Sequence, residues 1–329
     1  MSTDNEKDGG LLNEAISGRS IEITLDPYAE KDDSFSKIRQ GSITNTLAKM
    51  NLSRDNAQVN PITDVATLES DKLSLSLTDF SKMTGGLKTT THKLLDAIIS
   101  VFTESGANSP TVRLPLDAYM AMCGLRDKKE ARGQVKSDLN TLLHLSLNYS
   151  SGSKWDSDYM DVMISSAAGI VRGVITFEFS NTFYETLKRY GYMPYPRQIW
   201  TLNPQYNPNS YYFLRKITEH KHMNHGKSNE DIISVRTLIS AAPLFPKYED
   251  IQKSGQVEQR IIRPFERDMN ALSETIAWSY YHDTGEALSP EEQKDMNYSL
   301  FSTLMLHISW QNYPVQKDES PVDEASLTD

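Results

Sequence analysis

The run from Gly255 through Gln256 to Leu272, GQVEQRIIRPFERDMNAL, constrains the fold more than any other stretch, because its apolar residues return at helical spacing. Val257, Ile261, Phe265, Met269 and Leu272 fall on one side of a 3.6-residue helix, and Gln256, Gln259, Arg260, Arg263, Arg267 and Asn270 gather on the other. One face is a core stripe. The other offers guanidinium and amide groups, the side chains that read DNA, since Arg donates two parallel hydrogen bonds to guanine and Asn or Gln pairs with adenine in the same way. The ordinary alternative is a solvated helix face, and the run alone does not choose between them.

With 329 residues and 38% hydrophobic content, the chain has enough apolar material for two domains with real cores. No apolar run approaches the ~20 residues that cross a bilayer, and the opening MSTDNEKDGG has neither a basic start nor an apolar signal core. A cytoplasmic protein with no membrane partner is expected. The single cysteine, Cys123, rules out an intrachain disulfide framework and a multi-cysteine zinc site, and its apolar run AYMAMCGL predicts a buried small hydrophobe.

A net charge of −10 argues at first against nucleic acid, whose phosphates need Lys and Arg. The distribution reverses that. Met1 to Asp33 contributes −6 and Lys317 to Asp329 contributes −4, which accounts for the whole imbalance and leaves a neutral body. Such a body can bind DNA through a basic face.

Residues 1–60 are rich in Ser, Asp, Asn and Gly and are expected to form a disordered acidic segment, as is the tail 314–329. Between them one order of elements occurs twice. In the first pass, Thr89 to Thr91 cap a helix with Leu94, Leu95, Ile98, Val101 and Phe102 on its apolar side. A strand at Thr111 to Leu114 and a helix from Pro115 to Gly124 follow. A long helix, about Lys128 to Leu145, then turns Val135, Leu139 and Leu142 inward and Lys129, Arg132, Lys136 and Asn140 outward. Two strand-like runs close the unit, Tyr159 to Ser165 and Val171 to Phe179, with SSAAG as the turn between them.

The second pass starts after the Pro- and aromatic-rich bridge Tyr192 to Pro208. It runs as a helix at about Asn209 to His222, a strand at Ile232 to Val235, a helix at about Arg236 to Ala242, the long helix already described, and strands at Ile276 to His282 and about Leu300 to Trp310. Helix, strand, helix, long helix and hairpin is the order of a winged helix, whose third helix can enter a major groove. The expected fold is therefore α+β, mainly α, with two tandem winged-helix domains at 61–200 and 201–313 between acidic tails.

Over about Leu73 to Trp310 the chain resembles the plasmid replication initiators that bind iterons through two winged-helix domains. The resemblance is strongest where IISVRTLISAA leads to QRIIRPFERDMNAL and on to IAWSYYH, including Pro264, which lacks the N–H that would bond back to Arg260. LKTTTHKLLDAIIS, VRLPLDAYMAMCGL and VKSDLNTLLHLSLNY carry it in the first unit. It implies a non-enzymatic, cofactor-free initiator that binds repeated sites in double-stranded origin DNA. The second domain would read sequence and the first would make dimer contacts, phosphate contacts or both. It also implies a monomer–dimer equilibrium and contacts with the host helicase and initiator. In this chain the basic content near the second long helix is diluted by Glu249, Asp250, Glu258, Glu266 and Asp268, and the second wing is lengthened over Thr284 to Asn297, where Ser289 and Glu292 form a capping box around Pro290. An acidic helix there is repelled by phosphate, which leaves open whether that wing meets DNA or a protein.

Two other readings stand beside this one. A winged-helix transcriptional regulator of a mobile element would share every feature so far. A metal-dependent nicking initiator would need His220, His222 and His225 of EHKHMNHGK as ligands, although the residue between the first two is Lys221 and the ordinary reading is a polar helix end. Gly85 and Gly86 lack the Lys and Ser or Thr of a phosphate loop, and no nucleophile elbow or paired carboxylates stand out.

Overall fold

The computed structural model of the chain describes residues 35–51, 58–69, 73–83, 86–153, 156–252, 255–311 and 313, and its first elements correct the expectation of disorder up to residue 60. β1 (Phe35–Arg39) pairs antiparallel with the strand Tyr192–Pro196, Phe35 opposite Pro196 and Arg39 opposite Tyr192. α1 (Ser42–Leu47) follows. Ile38, Leu47 and Met50 are buried. The Met50 carbonyl accepts from the buried His92 ring at 2.7 Å, and the Trp200 indole donates to Ser36 Oγ at 2.9 Å. Composition averaged over sixty residues hides this short segment, because its few apolar positions are diluted by the polar residues ahead of it. The rest of the expected disordered tails, 1–34, 52–57 and 314–329, lies outside the described residues.

In the first unit β2 (Gln58–Asn60), β3 (Val65–Glu69) and β4 (Leu73–Leu77) lead to α2 (Thr89–Glu104), β5 (Thr111–Pro115), α3 (Leu116–Cys123) and α4 (Lys128–Leu143). Then come β6 (Leu145–Ser153), β7 (Asp156–Met163), β8 (Ser165–Val171), β9 (Val174–Phe179) and α5 (Asn181–Arg189). The strands form two antiparallel sheets, β2-β3-β4-β6-β7 and β5-β9-β8. Here the hairpin differs from the sequence reading. Tyr159 to Met163 belongs to β7 in the larger sheet, and SSAAG is not a turn but most of β8. Small residues give no hydrophobic alternation to betray it. Ser165 is fully buried, its hydroxyl within hydrogen-bond reach of the Ala167 and Glu178 carbonyls (3.0 and 2.9 Å), and a register shift between Ser165 and Ala167 marks a bulge. The real turn is Arg172–Gly173, with φ of 50° and 80°, the left-handed pair that a two-residue hairpin needs.

The bridge is β10 (Tyr192–Pro196) and α6 (Gln198–Thr201). The second unit consists of α7 (Ser210–Met223), β11 (Ile232–Ser234), α8 (Val235–Ala241), α9 (Tyr248–Gln252), a π-helical turn at Glu258–Ile262 running into α10 (Arg263–Asn270), β12 (Ile276–Tyr281), α11 (Pro290–Lys294), α12 (Tyr298–Thr303) and β13 (Met305–Trp310). The expected strand at Leu300 to Trp310 is therefore helix up to Thr303 and strand only from Met305. Asn297 caps Leu300 N–H at 3.0 Å, and Phe301 is buried edge-on to Phe265 with ring centroids 5.2 Å apart. The sheet order β11-β13-β12 repeats β5-β9-β8: the lone strand pairs with the last strand, which pairs with the first strand of the hairpin.

The two units share a continuous core. Asp96 of α2, buried, takes the Arg215 guanidinium and the Tyr211 hydroxyl of α7. Lys93, also buried, donates to the carbonyls of Trp200 (2.6 Å) and Leu202 (2.9 Å) and so ties the bridge to α2. A buried ion pair of this kind is costly to break, because the remaining charge has no solvent to fall back on.

Candidate nucleic-acid interface

The long helix of the second unit follows Gly255, whose φ of 65° turns the chain into it. Pro264 stands at the second position of α10, where its missing N–H is tolerated, and the π turn just before it closes with the Arg263 N–H on the Glu258 carbonyl. Ile261, Phe265, Met269 and Leu272 are buried as the spacing predicts, and Val257 is half-buried. The extra residue of the π turn brings Ile262 inward as well, which a 3.6-residue count does not foresee. Phe265 anchors the helix against Phe213, with centroids 5.0 Å apart.

All six expected polar-face residues, Gln256, Gln259, Arg260, Arg263, Arg267 and Asn270, are exposed. The two central arginines are not loose. Arg263 donates from Nε (2.9 Å) and Nη2 (2.7 Å) to Glu258 Oε1. Arg267 approaches Asp268 Oδ1 in the same way, from Nε at 2.8 Å and Nη2 at 2.7 Å. Asp268 is completely buried, and its Oδ2 accepts from the Asn209 backbone N–H (3.0 Å) and side-chain amide (2.8 Å). Gln256, Gln259, Arg260 and Asn270 make no side-chain hydrogen bond or ion pair among the described residues.

The acidic residues interspersed with this face are mostly absorbed by it. Glu258 and Asp268 hold the arginines, and burial pushes the Glu266 carboxyl up from its ordinary value, with the Tyr280 hydroxyl at 3.4 Å opposing the shift. Glu249 and Asp250 remain exposed on α9. The long wing carries the expected capping box, Ser289 N–H to Glu292 Oε2 at 3.0 Å and Glu292 N–H to Ser289 Oγ at 3.3 Å.

The first unit offers a different surface. Asp127 caps α4 by accepting from Glu130 N–H at 2.8 Å, and Ala131, Val135, Leu139 and Leu142 face the core. Lys129, Arg132, Lys136 and Asn140 all point outward, and the side chains of the three cations make no hydrogen bond or ion pair among the described residues. Asp138, on the buried side, accepts from Thr91 at 2.7 Å and from Gln134 at 3.1 Å, while burial pushes its carboxyl up. Sequence reasoning missed one cation. Arg172 sits exposed at the tip of the β8–β9 hairpin, with no side-chain partner among the described residues. The dipeptide Arg-Gly between two β-like runs was the signal that could have found it.

The histidines do not converge. The His220 ring meets the Asn229 carbonyl at 3.0 Å, His225 meets Glu230 at 3.4 Å, and burial lowers the pKa of His222. Lys221 pairs with Glu230 and Asp231 at 2.6 and 2.8 Å, and hydrogen bonds from Lys221 and the Gly226 amide hold the Glu230 carboxyl down at about 2. Among the described residues no group of three or more His, Cys, Asp or Glu is placed to hold a metal ion.

Residues 76–193 match the family model of initiator replication proteins, WH1, so the first unit is similar to an initiator WH1 domain, in keeping with the resemblance to replication initiators. No curated protein matches the chain. Among solved structures, domains 2 and 3 of RctB are 10% identical, with 82% of this chain and 99% of that one covered and a TM-score of 0.43. The WH1 domain of MSBI1.176, a replication protein isolated from a multiple sclerosis patient, is 16% identical over 31% of this chain and 79% of that one, with a TM-score of 0.25. At such scores neither likeness carries an argument about function. No described helix is long and apolar enough to cross a membrane.

Proposed function

We propose that the chain is a sequence-specific DNA-binding replication initiator of a plasmid or mobile element, built from two tandem winged-helix domains. It binds repeated sites in double-stranded origin DNA and promotes opening without catalysis, acting in the cytoplasm. The match of residues 76–193 to the initiator WH1 family carries this reading. Support for the second unit comes from its repetition of the same sheet order and from the Arg, Gln and Asn side chains on its third helix. That helix is the reading element, lying in a major groove with Arg263 and Arg267 at base edges. Lys129, Arg132, Lys136 and Asn140 of the first unit, with Arg172 at its wing tip, meet phosphates. Dimerisation and contacts with host helicase and initiator belong to the same proposal.

Binding of the full chain to the DNA flanking its gene tests the proposal. Tight binding to direct repeats about two helical turns apart, beside an AT-rich stretch, is expected. Binding confined to one inverted repeat at the promoter would recast the protein as a regulator. Strand nicking that is lost in His222→Ala would overturn the non-catalytic reading.

A further inference from the structure

An arginine has five N–H donors in a rigid plane, and only two parallel ones are needed to read guanine. Arg263 and Arg267 each direct the same edge, Nε and Nη2, to a single carboxylate oxygen of their own helix. The end edge, formed by Nη1 and the second Nη2 hydrogen, stays open in both, and the side chains are 68% and 49% exposed. We infer that Glu258 and Asp268 are positioning residues, holding these two guanidinium groups with the end edge outward so that they meet guanine already oriented. The inference rests on the proposal that this helix enters the major groove.

The two carboxylates are anchored differently. Glu258 is itself exposed and holds Arg263 from one turn back along the helix. Asp268 is fully buried, and its second oxygen is fixed by both N–H groups of Asn209, at the start of α7. Arg267 is therefore set by a chain of hydrogen bonds that begins where the bridge between the units ends. A carboxylate on a phosphate-facing surface otherwise only repels DNA. Its compensation here is orientation, since freezing a rotamer-rich side chain on binding costs a factor of about 2 to 10 in affinity, which a side chain already held does not lose.

These two roles predict opposite signs for one variant. The probes are the duplex that the full-length chain enriches from a random-sequence pool and a shuffled duplex of the same composition. Glu258→Ala is expected to bind the shuffled duplex more tightly at low salt, yet to lose about 2- to 10-fold in preference for the enriched one. Glu258→Gln, whose amide oxygen still accepts from Arg263, is expected to recover part of that preference. Equal gains for both duplexes in Glu258→Ala, alongside a lost preference in Arg263→Ala, would show that Glu258 only repels and would overturn the inference while leaving the reading helix in place. Full preference in Arg263→Ala, or no enriched duplex at all, would remove the reading helix and the inference with it.

Discussion

The two long helices occupy the same place in two units of the same sheet order, yet they present their cations in opposite ways. On α4 the side chains of Lys129, Arg132 and Lys136 extend into solvent without partners among the described residues. On α10 Arg263 and Arg267 are clamped by carboxylates. Flexible point charges suit phosphates, which form a continuous track and demand no fixed geometry. A held guanidinium suits a base edge, where two hydrogen bonds must form at once. Under the proposed function, the difference would give general affinity to the first unit and discrimination to the second.

The harshest way to break this comparison is to separate the units. Deleting residues 1–51 removes β1 from the bridge strand β10 and takes the buried side chains of Ile38, Leu47 and Met50 out of the core. At ~1.5–3 kcal/mol for each such side chain, the loss is about 5 kcal/mol or more. A large fall in melting temperature is expected, and an unchanged one would show that the segment contributes nothing to the junction.

Acid loosens the same junction more gently. Burial lowers the His92 ring, which donates to Met50, to a pKa of about 4 in the folded chain against an ordinary value of 6.5. The folded value lies below the unfolded one, so the neutral ring's contribution is whole above pH 6.5 and is lost as pH falls toward 4. The loss amounts to about 3 kcal/mol. Unfolding midpoints across that window should slope downward in the parent and flatten in His92→Gln. An equal slope in both would place the acid sensitivity elsewhere.

The two clamps should also differ in what they do for folding. Arg267→Ala leaves the buried Asp268 with Asn209 alone and is expected to cost about 1–2 kcal/mol, after allowance for the half-exposed guanidinium. Arg263→Ala removes only an exposed pair and should cost about 0.5 kcal/mol or less. Urea denaturation of both separates them, and equal stabilities would mean that the Asp268 network does not depend on its cation.

Much of this is legible in the residues. The apolar stripe Ile261, Phe265, Met269 and Leu272 and the six exposed polar positions follow from spacing alone, since helical periodicity is a local property. The partners of the arginines are not legible. Glu258 lies five residues before Arg263 and Asp268 beside Arg267, separations that name no partner until the π turn and the rotamers are fixed. Asn209 meets Asp268 across 59 positions, a pairing set by packing. The first hairpin escapes sequence reasoning because SSAAG has no alternation, and β1 because its partner strand lies more than 150 residues away.

The division of labour is tested most directly by measuring salt dependence and site preference together for Arg263→Ala and for the double variant Arg132→Ala, Lys136→Ala. Arg263→Ala is expected to cost ~1–3 kcal/mol at the enriched site, with little change for shuffled DNA. The double variant is expected to weaken both duplexes alike and to flatten the slope of log K against log salt by about 0.9 for each phosphate that is no longer neutralised. A double variant that changes site preference, paired with an Arg263→Ala that keeps it, would contradict the account.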